Sequence, residues 1–196
     1  MTSKPSSAID KMNEYKGSAL PSPVIPILGF SMGFGVPRLL VSNQLVTAPV
    51  EGSVLSSTLQ SLGYVSFLFM AEFFFGAAAR STSVKASFSP AAAAATPGAN
   101  PFAVVQANRI HQNQMESFMI LLPSALAAAA SAGSADNETA VWIKACILSW
   151  VAFRFLYRLG YCYQDNPFWR ITGVAASQTQ SILLLWLWYQ QGGCKV

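Results

Sequence analysis

The sequence predicts an all-α integral membrane protein built on a four-helix transmembrane bundle. Two observations carry that prediction. Apolar residues fill 53% of the 196 positions and charged residues only 10%, where soluble domains carry roughly 25% charge; the mean hydropathy is +0.39. Four stretches, at 55–80, 102–131, 139–163 and 168–189, are each long enough to cross a hydrocarbon core of about 30 Å at about 1.5 Å per helical residue. A net charge of +4 is too small to point to nucleic acid, and basic residues near membrane ends more often fix orientation.

Residues 1–52 read as an N-terminal extension. Its first 20 residues are polar, with Lys4, Lys11 and Lys16, and carry neither a signal-peptide core nor an Arg-rich targeting stretch. Segment 24–46 is apolar but is interrupted by Pro26, Gly29, Gly33, Gly35 and Pro37. Its helix propensity is poor, which leaves three readings: a kinked crossing, a re-entrant piece or an interfacial helix. The main domain runs over 53–190. The 55–80 span carries one acidic residue, Glu72, and ends in Arg80. Pro90, Pro97 and Pro101 break the Ala/Ser/Pro-rich linker that follows. The 102–131 span is expected to kink at Pro123. Gln164-Asp-Asn-Pro167 is a turn between the last two spans, and Trp186, Trp188 and Tyr189 close the fourth as an interfacial belt. Residues 191–196 are a tail. Arg80, Lys85, Arg158 and Arg170 gather at one end of the four spans, which the positive-inside rule assigns to the cytoplasm or its organellar equivalent. Cys146, Cys162 and Cys194 have no metal-ligand spacing.

The chemistry concentrates in Gln106-Ala-Asn-Arg-Ile-His-Gln-Asn-Gln-Met-Glu116. On a helix Arg109, Asn113 and Glu116 fall at i, i+4 and i+7 and share a face. In the third span Arg154, Tyr157 and Tyr161 do the same at i, i+3 and i+7. Arg170 opens the fourth span at the same end. Ionisable groups at such depth are expensive and must face a partner or a cavity. The surplus of arginine over Glu116 and Glu72 predicts a pocket for an anion with carboxylates, which guanidinium groups grip in bidentate fashion. Arg158 is read as snorkelling to the interface, with Trp169 in the belt. His111 is read as an ordinary satisfied polar group.

These residues carry a resemblance. Asn108-Arg-Ile-His-Gln-Asn-Gln-Met-Glu116 before an apolar run with a proline, Arg154-Phe-Leu-Tyr157-Arg-Leu-Gly-Tyr161, and Arg170 resemble the second, third and fourth helices of the MAPEG family, the membrane-associated proteins in eicosanoid and glutathione metabolism. Gly63-Tyr64 and Arg80 are similar to its first helix. The resemblance covers roughly residues 55–190. It implies a four-helix protomer, a homotrimer, and glutathione as cosubstrate held between protomers. It further implies that Arg109, Asn113, Glu116, Arg154, Tyr157 and Tyr161 bind glutathione and that Arg170 is the catalytic, thiolate-stabilising residue. The activity so implied is of microsomal glutathione transferase or peroxidase type, acting on a lipophilic electrophile or a lipid hydroperoxide in the endoplasmic reticulum or another organellar membrane. Ile171 stands where prostaglandin-synthase members carry a serine, which argues against that specificity. The N-terminal extension and the long linker depart from the small family core. They motivate an alternative expectation, a non-catalytic accessory or structural subunit of a larger membrane complex. A transporter would need a polar path into the far half of the helices, which is rich in Ala and Leu.

Overall fold

A computed structural model describes residues 24–47, 53–83, 101–132, 136–162 and 167–192. Every regular element in them is an α-helix: α1 (Val24–Ser42), α2 (Val54–Ser83), α3 (Pro101–Ser131), α4 (Asn137–Cys162) and α5 (Pro167–Gln190). The all-α reading holds, with five helices rather than four among the described residues. Val24–Ser42, Val54–Glu72 and Asn137–Gly160 are long and apolar enough to cross a membrane. At 31 and 24 residues, α3 and α5 are comparable in length. They are less apolar because each turns polar side chains into the bundle, among them Gln114 and Ser117 on α3 and Thr179 and Gln180 on α5.

Helix ends follow local chemistry. The Ser56 amide donates to Ser53 Oγ at 3.2 Å at the start of α2. Asp136 caps α4: its Oδ1 accepts the Thr139 amide at 3.0 Å, and its Oδ2 accepts the Thr139 hydroxyl. These are N-cap bonds that satisfy otherwise orphaned donors. At the end of α1, Leu45 N–H reaches Leu40 O and Gln44 N–H reaches Val41 O. Gln44 adopts φ 54°, so the helix closes in a Schellman motif without its usual glycine.

Side-chain pairing gives the direction of each helix. Phe69–Phe118 and Glu72–Gln114 contacts run α2 against α3. Trp150–Ser117 and Arg154–Asn113 bonds run α3 against α4. At opposite ends, Gly160 meets Arg170 and Gln191 meets Asp136, so α4 and α5 are antiparallel. The core of the far half is Leu62, Val65, Leu121, Ala125, Ala128, Ile143, Ile147 and Leu184.

Segment 24–46, the element with three open readings, forms a continuous helix over Val24–Ser42 that packs lengthwise on α5, and residues 43–46 turn beyond its end. A Cβ built on Gly29 would lie 2.7 Å from Ala175 Cβ, and one on Gly33 would lie 2.6 Å from Thr179 Cβ. Residue numbers rise together along the seam, so α1 runs parallel to α5. Pro37 lies inside α1 and cannot donate to the carbonyl of Gly33. Gln180 Nε2 on α5 donates to that carbonyl at 2.8 Å. In lipid a freed backbone acceptor must be satisfied by protein, and here a neighbouring helix does so.

Candidate functional site

The α3–α4 seam is where the charge is buried. Trp150, Arg154 and Tyr157 recur at i, i+4 and i+7, so they share one face of α4. The Arg154 side chain is fully buried, at 0% exposure. Its Nη1 donates to Asn113 Oδ1 at 2.7 Å. Its guanidinium carbon lies 5.4 Å from the Trp150 ring centroid and 5.4 Å from that of Tyr157, within the range of cation–π attraction. Two of its donors, Nε and Nη2, are buried without a hydrogen-bond partner. Each such donor carries a desolvation cost of about 1–3 kcal/mol. The arrangement therefore has unused capacity for an acceptor, and an anion satisfies both the donors and the charge.

One turn along α4 lies a second cation. Arg158 Nη1 pairs with Glu72 Oε1 of α2 at 3.0 Å, and Gln114 Nε2 of α3 approaches the same oxygen at 3.4 Å. Glu72 is 6% exposed and Arg158 9%. The expectation that Arg158 snorkels to the interface is corrected: it turns inward because a carboxylate on the facing helix supplies its charge partner. Above the pair, Phe69 meets His111 edge-on at 6.4 Å.

The remaining sequence-predicted residues divide. Asn113 and Tyr157 join Arg154. Arg109 and Glu116 lie on the exposed side of α3, where Gln112 Nε2 donates to Glu116 Oε1 at 3.0 Å, one turn apart. The helical face shared by Arg109, Asn113 and Glu116 is thus an edge, with Asn113 turned into the seam and the two charged groups outside it. Arg170 is half-buried in the first turn of α5. There α5 approaches α4 so closely that a Cβ on Gly160 would lie 2.7 Å from Arg170 N and 2.8 Å from Arg170 Cγ. The Tyr161 and Arg80 side chains lie outside the described residues.

Deeper in the bundle Ser117 Oγ accepts Trp150 Nε1 at 3.2 Å and Gln178 Nε2 at 3.3 Å. Trp150, Gln114 and Gln178 escaped the sequence reading. Their signal was a glutamine or indole inside a span, uninformative until a facing partner is known. Two apolar grooves open on the outer surface. One of about 400 Å³ lies between α3 and α5 at Met119, Pro123 and Trp188; the other, of about 650 Å³, lies between α2 and α4 at Tyr64, Leu68 and Phe155. Neither is lined by Arg154. Among the described residues no cluster of His, Cys, Asp and Glu could hold a metal ion.

Fold and buried polar set together define an α-helical integral membrane protein with a cationic seam near one end of its helices. The chain matches the MAPEG family over residues 59–189 and belongs to that family. The match runs from within α2 to nearly the end of α5 and leaves α1 outside it. No curated protein and no solved structure matches the chain.

Proposed function

We propose that this chain is a glutathione-dependent membrane enzyme of the microsomal glutathione transferase or peroxidase type. In this reading α2–α5 form the four-helix protomer and the working unit is a homotrimer. The observation that carries it is the fully buried Arg154, fixed by Asn113 and two aromatic rings, with two unpartnered donors. A carboxylate-bearing tripeptide supplies the acceptors these donors lack. Arg109 and Glu116, exposed on α3, then face a neighbouring protomer and complete the glutathione site with Tyr157 and Tyr161. Exposed ionisable groups on a membrane helix are costly, and a partner subunit removes the cost.

Arg170 is assigned to the thiol. A guanidinium beside the sulfur favours thiolate over thiol, and the thiolate is the nucleophile. It attacks an electrophilic carbon, forming a C–S bond as the leaving group departs with the electron pair. With a lipid hydroperoxide it attacks the terminal oxygen. The O–O bond breaks, the lipid alkoxide takes a proton, and a second glutathione converts the sulfenic acid to disulfide and water. The bilayer concentrates the lipophilic substrate. The test is saturable glutathione binding by the purified protein, with a thiolate ultraviolet signal that Arg170→Ala abolishes while the helical circular dichroism is unchanged. Absence of binding at millimolar glutathione refutes the proposal.

One observation favours the accessory-subunit reading. Helix α1, outside the family match, is anchored on α5 and presents Ile27, Phe30 and Phe34 outward, an added apolar face suited to another membrane subunit. Mild native extraction separates the two: a stoichiometric larger assembly without glutathione binding supports the subunit.

A further inference from the structure

Two guanidinium groups lie one helical turn apart on α4, at Arg154 and Arg158, and residues spaced this way share a helix face. Both are buried. They differ in how their charge is met. Arg158 is paired with Glu72 at 3.0 Å, whereas Arg154 has a neutral amide oxygen at 2.7 Å, two aromatic faces and two unpartnered donors. The residues facing Glu72 are Arg158 from α4 and, from α3, Gln114 and the imidazole of His111. We infer that Glu72 is a positioning and charge-setting residue of the anion pocket: by engaging Arg158 across the α2–α4 seam it leaves Arg154 as the guanidinium offered to the ligand, and so fixes the net charge that the ligand meets.

The inference rests on the glutathione reading above and adds a role for two residues outside that reading. Two neighbouring unpaired cations would repel each other in a poorly screened interior and would over-stabilise an anion. A carboxylate held against one of them cancels most of its field at short range. Gln114 reaches the same carboxylate oxygen at 3.4 Å, which ties α3, the helix of Asn113, to the pair. Ligand charge is therefore matched by three helices at once, and the position of α2 bears on a site to which it presents no group of its own.

The test uses the full chain in detergent or nanodiscs and reads the pH midpoint of thiolate formation by bound glutathione. Glu72→Gln keeps the size of the side chain and its hydrogen-bonding capacity but frees the Arg158 charge. At an effective dielectric of about 20, a unit cation about 10 Å from any thiol lowers its midpoint by about one pH unit, and this sets the scale of the expected shift. The expected result is that downward shift, together with tighter binding of the more anionic glutathione sulfonate. The double variant Glu72→Met with Arg158→Met removes both charges and is expected to restore the wild-type midpoint. A residue that only holds the bundle together would change the melting temperature and leave the midpoint in place. An unshifted midpoint in Glu72→Gln, or an equal shift in single and double variants, overturns the inference while wild-type binding stands. Should Glu72→Gln fail to fold, the double variant decides, since a shifted midpoint there overturns the inference as well. A wild-type protein that binds no glutathione overturns the functional reading itself, and this inference with it.

Discussion

The junction of Pro37, Gly33 and Gln180 supports a quantitative prediction about how α1 is held. Pro37 leaves the Gly33 carbonyl without its intrahelical donor, and Gln180 Nε2 replaces that donor at 2.8 Å. An unpaired buried acceptor costs about 1–3 kcal/mol, while measured interhelical hydrogen bonds in membranes average about 0.6 and reach about 1.7 kcal/mol. About 1 kcal/mol is the reasonable expectation for this bond. The single variant Gln180→Leu is a poor probe, because it also removes Gln180 Oε1, a buried acceptor without a partner, and that gain offsets part of the loss. A double-mutant cycle isolates the carbonyl. In Pro37→Ala the restored amide at position 37 satisfies Gly33 from within α1, so Gln180→Leu should then be neutral or mildly stabilising. The coupling between the two substitutions should be about 1 kcal/mol, read from reversible unfolding in mixed micelles. Additivity to within about 0.3 kcal/mol, the usual margin for independent sites, would refute the account. It would mean that the carbonyl needs no donor from α5.

Other positions separate close packing from simple helix propensity. Gly173→Ala places a Cβ 2.7 Å from Tyr157 N and 2.8 Å from Phe153 O; backbone cannot yield cheaply, so a loss of about 1–3 kcal/mol is expected. Gly35→Ala and Gly63→Ala meet nothing within 4 Å and should be neutral or raise the melting temperature, since alanine gains roughly 0.5–1 kcal/mol in a helix interior. Gly160→Ala pushes on the backbone and Cγ of Arg170, so it should weaken the glutathione thiolate signal more than Gly35→Ala at matched helical content. Asp136→Ala removes the cap of α4 and should cost about 1 kcal/mol. The Thr139 hydroxyl and amide, with Gln191 beyond them, hold the Asp136 carboxyl below the ordinary aspartate range. A depressed carboxyl contributes its full stability above the unfolded-state value near pH 3.9 and loses it as pH falls through the folded-state value. The difference in melting temperature between wild type and Asp136→Ala should thus be constant near neutrality and shrink below about pH 4.

Much of this fold is legible because lipid imposes a simple grammar on sequence. Long apolar runs broken by Pro101, Pro167 and the polar stretch 133–136 can only be helices with ends near those points. Segment 24–46 resisted reading for a specific reason. Gly29, Gly33 and Pro37 look like helix breakers when counted as propensity, but the glycines are where α5 touches α1 and the proline is compensated by Gln180. Tertiary contacts outweigh propensity there, and no local rule contains them. The site divides in the same way. Helical spacing placed Arg154 and Tyr157 on one face and Asn113 on the helix opposite. It could not show that Arg158 turns inward, because the deciding partner, Glu72, is 86 residues away in sequence. Nor could spacing show that Arg109 and Glu116 sit outside the seam, since a shared face on α3 says nothing about which neighbour it meets.

The vertical distribution of polarity along the bundle bears on function class. From the Arg170 end inward, the described core runs through Arg158 and Glu72, then Gln114, Arg154 and Asn113, and then the Ser117 hydroxyl with Trp150 and Gln178. Beyond that level α3 and α4 contribute Leu121, Ala125, Ala128, Ile147 and Ile143, with Leu184 from α5 and Val65 and Leu62 from α2. On α2 the hydroxyls in this half bond back to their own helix, Thr58 to Val54 O and Ser61 to Ser57 O. A route across the membrane through this apolar core would desolvate a polar solute with few replacement partners, at several kcal/mol for each group. Buried polar groups gathered near one end of the bundle, with packed apolar side chains at the other, suit different chemistry. Under the proposed function, that end would hold the charged reactant at Arg154, whose Nε and Nη2 donors have no partner, and the surrounding lipid would supply the apolar one. That asymmetry is why the buried guanidinium at Arg154 is read as a binding group and not as a step in a permeation path.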